Sequence, residues 1–346
     1  MNADGKSHPL KKVVSILLPI GISGALVVWI LSGIEDPDVV LDAALNANPF
    51  LLLAIVPVSL ASHWLRATRW LRLLGMPGAS RVVAFSSVMI GYAVNVVVPL
   101  RAGEAARLVN MNVQTGAPYP RMITTLVAER LVDLLFLIVF LGLSLLFAGD
   151  RIAEAFPVIG QTGPLLVAAA VVGLVGLLGI AFAGERLARI VESLAGKLHA
   201  GLGERAGHFT REAARGFEFV RDPIQAAVVA AESVAIWVLY WGTLILGLAA
   251  FGFLADIGLD GGTVVFSITS SGVLVPSQGA IGAYHTAGRE SLHLLYDVPR
   301  DLALAWVTVV HAILFLGVGG IGGALAWLLQ LLRGKPRPQN EASDGR

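Results

Sequence analysis

Six apolar runs long enough to cross a lipid bilayer dominate the sequence and limit the folds open to it. An α-helix rises about 1.5 Å per residue, so roughly 20 apolar residues span the hydrocarbon core of a membrane. The runs cover about 13–31, 49–65, 122–147, 164–183, 224–253 and 302–331. Because 56% of the residues are hydrophobic and only 14% are charged, the sequence predicts an all-α polytopic membrane protein with about six full transmembrane helices.

The distribution of basic residues predicts the orientation of these helices, because loops rich in Lys and Arg stay on the cytoplasmic side. Lys11 and Lys12 place the N-terminus inside, whereas the acidic segment 35–42 lies outside. The Arg-rich segment 185–221 and the polar tail 333–346 are again inside. We therefore expect a cytoplasmic N-terminus at 1–12, a single transmembrane domain at 13–332, and localisation in the bacterial cytoplasmic (inner) membrane.

Two weaker apolar runs, 82–100 and 263–284, are interrupted by Gly, Asn, Ser and Pro. Counting crossings between the basic loops predicts that each run enters and leaves the membrane on the same side, and that the two enter from opposite faces. Irregular backbone at membrane depth is tolerated only where it lines a protected cavity, so two broken re-entrant hairpins are typical of an inverted repeat around a central site. An ordinary pair of Pro-kinked helices is the alternative.

The segment 185–221 places leucine and other apolar residues at helical spacing between charged ones. This pattern predicts an amphipathic helix on the inner leaflet, and a solvated cytoplasmic linker is the alternative.

Charged residues cluster in the first broken run and in the helix that follows it. Pro99 suits the first turn of a helix, where the exposed N–H groups favour an anion and Arg101 adds a full charge. Arg101, Glu104 and Arg107 recur every three residues and therefore line one side of this helix. An Arg beside a helix start suits a phosphate. Alternatively, Arg101 and Glu104 only pair with each other and lock the hairpin.

Glu129 and Asp133 are four residues apart on one helical face, and Arg130 can reach Asp133. A charge at membrane depth costs roughly 2.5–3.5 kcal/mol on insertion scales and usually has a partner or a function. The two carboxylates could pair with Arg101 or Arg107, carry protons, or join two helices by a structural ion pair. Glu232 and His311, also within apolar runs, are secondary candidates for a proton relay.

Several motifs resemble the lysylphosphatidylglycerol synthase transmembrane-region family, which is also described as flippase-like. The first block is the more specific and consists of His63-Trp-Leu-Arg66-Ala-Thr-Arg69-Trp70, Gly91-Tyr92, Asn95, Pro99, Arg101, Gly103-Glu104, Arg107, Glu129-Arg130 and Asp133. The looser second block is 276–282. The resemblance implies a helical membrane protein that moves a lipid, often one with a modified headgroup, between leaflets.

The second block departs from the family pattern, since Gln278 and Ala280 stand where Pro and Gly are common, and His285 falls near the usual position of a Glu. These departures suggest a different headgroup. The soluble aminoacyl-transferase domain of the larger relatives is not expected here, because only a short tail follows Leu331.

The charge pattern and the resemblance together select the candidate site. The predicted substrate-binding residues are Asn95, Pro99, Arg101, Gly103, Glu104, Arg107, Glu129, Arg130, Asp133, Pro276, Gly279 and Gly282, with Glu232, His285 and His311 as secondary candidates. No catalytic residue, metal ligand or cofactor is predicted.

Three functions compete at this point. The preferred one is a lipid transporter or flippase-like protein without enzymatic activity, which moves a phospholipid or polyprenyl-linked lipid with an anionic or modified headgroup. A membrane-embedded transferase on a lipid headgroup, with Glu104 or Asp133 as base, is the first alternative. The second is a non-catalytic partner of an enzyme of lipid or envelope biosynthesis. Nucleic acid is not expected as a partner, and the sequence leaves the oligomeric state open.

Overall fold

The computed structural model describes residues 34, 36–76, 78–98, 102–197, 199–215, 218–274 and 281–333. These residues form helices, and no strand occurs among them. The predicted first span at 13–31 and the tail lie outside this part of the chain. The α-helices are α1 Pro37–Asn46, α2 Pro49–Leu73, α3 Arg81–Val97, α4 Ala102–Thr115, α5 Tyr119–Ala155, α6 Pro157–Gly196, α7 Ala200–Arg215, α8 Pro223–Ala250, α9 Phe253–Ser271, α10 Ala283–Tyr296, α11 Arg300–Ala312 and α12 Gly322–Arg333.

Three helices begin with the same local signal, an Asp or Asn cap followed directly by proline. Asp36 caps α1, Asn48 caps α2, and Asp222 caps α8; each side chain accepts hydrogen bonds from two backbone N–H groups of the first turn. Proline fits the first helical position because its missing N–H is not needed there. These caps set the starts of the helices more sharply than hydropathy alone can.

Five helical segments among the described residues are long and apolar enough to cross a membrane. They are Pro49–Leu73, Tyr119–Ala155, Pro223–Ala250, Phe253–Leu274 and Arg300–Gln330. Four of them coincide with predicted full spans, which confirms the all-α polytopic prediction. The last is a continuous run of α11, a π-helix at Ile313–Ile321, and α12.

The first broken run forms an antiparallel pair of helices, α3 and α4. Gly91 packs against Gly103 near the turn, and Asn110 donates a hydrogen bond of 2.8 Å to Ser87 farther from it. A Cβ at Gly103 would overlap the carbonyl oxygen of Gly91, so the close approach of the two backbones depends on glycine. The chain leaves this hairpin at the end where it entered, as predicted for a re-entrant segment.

The second broken run also forms an antiparallel pair, α9 and α10. Gly272 packs against Ala283 near the turn, and Gly261 packs against Tyr296 at the open end. The pair begins at Phe253 instead of the predicted position 263. The helix restarts this early because Gly252, with a φ of 82°, reverses the chain directly after α8.

Both hairpins contact the long helix formed by α11, the π-helix and α12. Toward the open end of the second hairpin, Glu290 lies 3.5 Å from Arg300, the first residue of α11. In the first hairpin, Val96 near the turn packs against Gly320 of the π-helix and Met89, farther from the turn, packs against Gly323 of α12, so its open end lies toward the C-terminal end of this long helix. The hairpins therefore enter the bundle from opposite ends, while their entry from opposite faces of the membrane stays a prediction.

The segment 185–221 differs from the predicted single amphipathic helix on the leaflet. Its first part extends α6 to Gly196, its second part is α7, and a short 3-10 helix at Glu218–Arg221 follows. The chain reverses between α6 and α7, and Gly203 and Gly207 let α7 pack closely back along α6. The periodicity indicated a helix correctly, but the turn between two packed helices was missed.

Candidate functional site

A buried network of arginines and carboxylates joins the middle of the helix bundle. Its centre is Asp133 on α5, which accepts hydrogen bonds of 2.8 Å from Arg66 Nη2 and 3.2 Å from Arg69 Nη2. Both arginines belong to α2 and are buried. Two arginines on one carboxylate fix the position of α5 against α2, since charge-assisted hydrogen bonds are the stronger kind.

A second pair extends the network to the first hairpin. Arg107 on α4 donates to both carboxylate oxygens of Glu129, at 2.9 and 3.0 Å. Glu129 is fully buried, and Arg66 Nε lies 3.8 Å from it. Because a two-point pair restricts both distance and angle, this contact holds α4 in one orientation against α5.

Hydroxyl groups provide further contacts for the two α2 arginines. Arg66 donates to Tyr240 Oη at 2.8 Å and lies 3.5 Å from Tyr92 Oη, while Arg69 donates to Ser233 Oγ at 2.9 Å. The ring of His63 packs 4.4 Å from that of Tyr92. Helices α2, α3, α4, α5 and α8 therefore all contribute to this site.

The network lies deeper in the bundle than the solvated end of α2. Arg72, whose side chain is 30% exposed, pairs with Glu232 at 2.9 Å near that end. Arg66 stands six positions earlier on the same helix, which corresponds to about 9 Å of helix length. The charges are thus held below the surface of the protein, where unpaired charges would be costly.

Arg130 and Glu104 form the exposed rim of the network. Their side chains are 42% and 37% exposed, and Arg130 Nε lies 3.9 Å from Glu104. Arg130 Nη1 lies 3.6 Å from Asp133, one turn along α5. Both distances exceed those of normal hydrogen bonds. Arg130 therefore presents an exposed guanidinium group that, among the described residues, makes only long ion pairs.

The network favours an additional anion. Four arginines (66, 69, 107 and 130) face three carboxylates (104, 129 and 133), which leaves one net positive charge. The buried Nε groups of Arg69 and Arg107 have no hydrogen-bond acceptor among the described residues. Buried donors are nearly always satisfied in native proteins, so water or a ligand oxygen suits these positions.

Several predicted site residues shape the backbone of the hairpins. Asn95 Oδ1 accepts a hydrogen bond of 2.8 Å from the N–H of Gly103, which closes the turn of the first hairpin. Gly282 precedes α10 with a φ of 91°. The other predicted residues of the turns, Pro99, Arg101, Pro276 and Gly279, lie outside the described residues.

The two α5 carboxylates have different partners. Glu129 binds Arg107, one of the two predicted arginines, whereas Asp133 binds Arg66 and Arg69 of α2, as in the alternative of an ion pair between helices. Spacing along one helix predicts which side chains share a face, but it does not predict which helix packs opposite.

The secondary candidates lie apart in two places. Glu232 pairs with Arg72 at the end of α2. His285 and His311 come together, with their rings 4.8 Å apart, and Tyr284 stacks 4.9 Å from His311. These two histidines belong to the second hairpin and α11, whereas the arginine network belongs to α2–α5 and α8.

Sequence reasoning missed Arg66 and Arg69 as site residues. They were named only within the motif that resembles the family, whereas the structure places both inside α2, where they are buried. Their spacing from Trp70 is the signal that could have found them. Arg66 and Arg69 are three apart and Trp70 follows one turn after Arg66, so they lie on overlapping faces of a helix that continues past the apolar run.

Comparison with known proteins identifies the family of this chain. Residues 16–322 match the lysylphosphatidylglycerol synthase transmembrane region. The chain belongs to this family. As a family member, it is a membrane protein, while its inner-membrane location and the cytoplasmic position of its termini stay predictions. No solved structure matches the chain.

Glycosyltransferase AglD of Haloferax volcanii is 26% identical over 324 residues, which cover 84% of this chain and 51% of the relative. The chain thus spans about half the length of this curated relative. The name of that relative contradicts the expectation that the chain is not an enzyme, because it points to a transferase. Together the two comparisons support a membrane protein linked to lipid or glycan handling.

Proposed function

We propose that this family member is the membrane part of a transferase that acts on a lipid-linked substrate, and that Arg130 binds the anionic headgroup. The glycosyltransferase relative supports the reaction class, and the lipid-related family supports the substrate class. The proposal differs from the flippase interpretation in its outcome, which is a chemically changed lipid.

The main support for the proposal is that the ion pairs of Arg130 are long. Arg130 lies 3.6 Å from Asp133 and 3.9 Å from Glu104, whereas Arg66 and Arg107 hold their carboxylates at 2.8–3.0 Å. A phosphate oxygen pair matches the planar fork of a guanidinium group. An arriving phosphate can therefore bind Arg130 without breaking the buried pairs.

The remaining charges have distinct roles in this proposal. Asp133 and Glu129 hold α5 in place, because each is already engaged by arginines of other helices. Glu104 is the exposed carboxylate of the rim and stands beside the proposed phosphate position. It is placed to accept a proton from a hydroxyl group of the acceptor, which is general-base chemistry.

Headgroup binding is tested by mass spectrometry of lipids that co-purify with the protein in native nanodiscs. We expect an anionic lipid enriched with the wild type, a loss of that enrichment by at least about tenfold in Arg130→Gln, and partial retention in Arg130→Lys. Arg300→Gln is the matched control, because Arg300 has a similarly exposed side chain and a 3.5 Å pair with Glu290 at the other end of the bundle. A lipid profile of Arg130→Gln identical to that of the wild type would refute the proposed site.

The transferase reaction is tested in membranes from cells that lack this gene and carry either the wild-type or the Glu104→Gln chain. Extracted lipid acceptors and labelled nucleotide sugars are supplied, and lipid-linked product is measured. We expect product with the wild type and a strong decrease with Glu104→Gln, while Arg300→Gln stays active. Equal product with and without the chain would exclude the transferase proposal.

Movement of the same lipid between leaflets is a second candidate function. The two hairpins enter the bundle from opposite ends and contact one shared helix, which favours a path that can open to either side. A fluorescent-lipid exchange assay in proteoliposomes tests it. Exchange that depends on Arg130 would support it, and exchange equal to that of empty liposomes would exclude it.

A further inference from the structure

The end of α6 and the whole of α7 form a second kind of helical hairpin, distinct from the two broken segments. Its helices pair as Gly184 with Ala214, Glu192 with Gly207, and Gly196 with Gly203. This antiparallel pairing places Phe209 within one turn of the level of Leu187, and Leu202 within one turn of the level of Leu194. Five of these six contact residues are glycine or alanine, so the two backbones lie close together.

One side of this hairpin is apolar and exposed. Leu187 stands one residue before Ala188, which is fully buried, and Leu202 stands one residue before the contact residue Gly203. Because the helices run in opposite directions, the same offset turns both side chains to the same side of the hairpin. Five side chains on this side are between 40% and 57% exposed: Leu187, Ile190, Leu194, Leu202 and Phe209.

The opposite side of the hairpin is polar. There Arg211 donates a hydrogen bond of 2.8 Å to Glu192, and this bond raises the pKa of the Arg211 guanidinium. Glu204 is exposed on the same polar side. The hairpin is therefore amphipathic as a unit, with an ion pair on one side and an apolar surface on the other.

Basic residues continue the outward face of α6 beyond its apolar part. Val175 and Phe182 are more than 60% exposed and seven residues apart, so they share the face that lipid covers in a spanning helix. Arg186, Arg189 and Lys197 follow on this side of the helix and are exposed. Long basic side chains at the end of a spanning helix reach the phosphates of the leaflet.

The hairpin is fixed to the helix that carries the charged network. Arg121 in the first turn of α5 lies 2.9 Å from the buried Glu212 of α7. The hairpin thus stays beside the bundle, at the level where α5 begins. The part of α6 from Pro157 to Leu187, where it reaches this level, is about 45 Å long, which matches the thickness of a bilayer with its headgroups.

We propose that the α6–α7 hairpin binds the anionic surface of the adjacent membrane leaflet, with Ile190 and its apolar neighbours in the headgroup layer and Arg186, Arg189 and Lys197 on lipid phosphates. A second copy of the chain is a poorer occupant, because the basic edges of the two copies would repel. An acidic protein partner would match the charges, but Leu187 and Ile190 lie within about two turns of Phe182 along α6, next to the face that lipid covers.

The chain contains no cysteine, so single-cysteine labelling gives a direct test. An environment-sensitive fluorophore is attached at Ile190→Cys on the apolar side or, as the matched control, at Glu204→Cys on the polar side. The full chain is placed in nanodiscs of phosphatidylcholine, with or without 30% phosphatidylglycerol. Quenching by spin-labelled lipid and by aqueous iodide is then measured at each position.

We expect the label at 190 to be quenched by the spin-labelled lipid, at least twofold more strongly in the anionic discs, while the label at 204 is quenched by iodide in both. Replacing Arg186, Arg189 and Lys197 by Gln should abolish the difference between the discs. Equal iodide quenching at both positions would overturn the proposal. Protection of position 190 from both quenchers would also overturn it, because a protein would then cover this side. Since the comparison of 190 with 204 keeps Arg186, Arg189 and Lys197, it decides the question even where the triple variant folds poorly.

Discussion

The guanidinium group of Arg107 lies 3.7 Å from the centroid of the Trp70 ring while its nitrogens hold Glu129. The indole N–H of Trp70 in turn donates to Thr125 Oγ1 at 3.0 Å. Trp70 therefore packs under the ion pair that joins the first hairpin to α5. A cation over a desolvated aromatic face gains about 2 kcal/mol or more.

We expect Trp70→Leu to lower the thermal unfolding temperature of the detergent-solubilised protein clearly. Trp70→Phe should cost less, because it keeps an aromatic face under Arg107 and loses mainly the hydrogen bond to Thr125. Thermal unfolding followed by intrinsic fluorescence or light scattering compares the variants. An equal decrease in unfolding temperature for Trp70→Leu and Trp70→Phe would show that the indole ring only fills space.

Glu129→Gln should be among the most destabilising single substitutions in this protein. It leaves Arg107 buried without its carboxylate, and breaking a buried pair in this way costs about 3–5 kcal/mol. Arg72→Gln is the comparison, because its pair with Glu232 is partly exposed and should contribute about 1 kcal/mol or less. The free energy of unfolding in lipid discs or mixed micelles checks both. A small effect of Glu129→Gln would mean that water or lipid reaches the pair.

Gly103→Ala should separate the two helices of the first hairpin. The added Cβ would overlap the carbonyl oxygen of Gly91 and the amide group of Asn95, so a backbone must move. Gly142→Ala is the matched control in an apolar helix, because nothing lies within 4 Å of its new methyl group. We expect loss of folded protein only for Gly103→Ala, measured as the monodisperse fraction in size-exclusion chromatography. Equal yields would contradict the close packing.

A disulfide can test how α5 packs against the second hairpin. Ser144 Oγ on α5 and Ser267 Oγ on α9 are 2.7 Å apart, and both side chains are buried. In this cysteine-free chain, Ser144→Cys with Ser267→Cys should cross-link under a membrane-permeable oxidant. Ser144→Cys with Ser271→Cys, one turn farther along α9, should not. Mass spectrometry of the digested protein identifies the bond, and cross-linking of the control pair instead would show a different register.

The sequence predicted the helix bundle and the two opposed hairpins because the length of an apolar run and the sign of its flanking charges are local properties. The helix beginnings at Asp36, Asn48 and Asp222 follow from equally local chemistry. The partner of Asp133 could not be predicted in this way. An arginine near a helix end looks the same in sequence whether it faces water or another helix, so the burial of Arg66 and Arg69 emerges only when α2 packs against α5.

The π-helix at Ile313–Ile321 has a mechanical consequence for the two hairpins. On its N-terminal side, His311 packs against Tyr284 of the second hairpin, and on its C-terminal side Gly323 packs against Met89 of the first. A π-turn contains one residue more than an α-turn, and one residue turns an α-helix by about 100°. Conversion of this segment to α-helix would therefore rotate the support of one hairpin relative to that of the other. The π-helix therefore fixes the rotation of α11 relative to α12, and with it the angle between the two hairpins that pack against them.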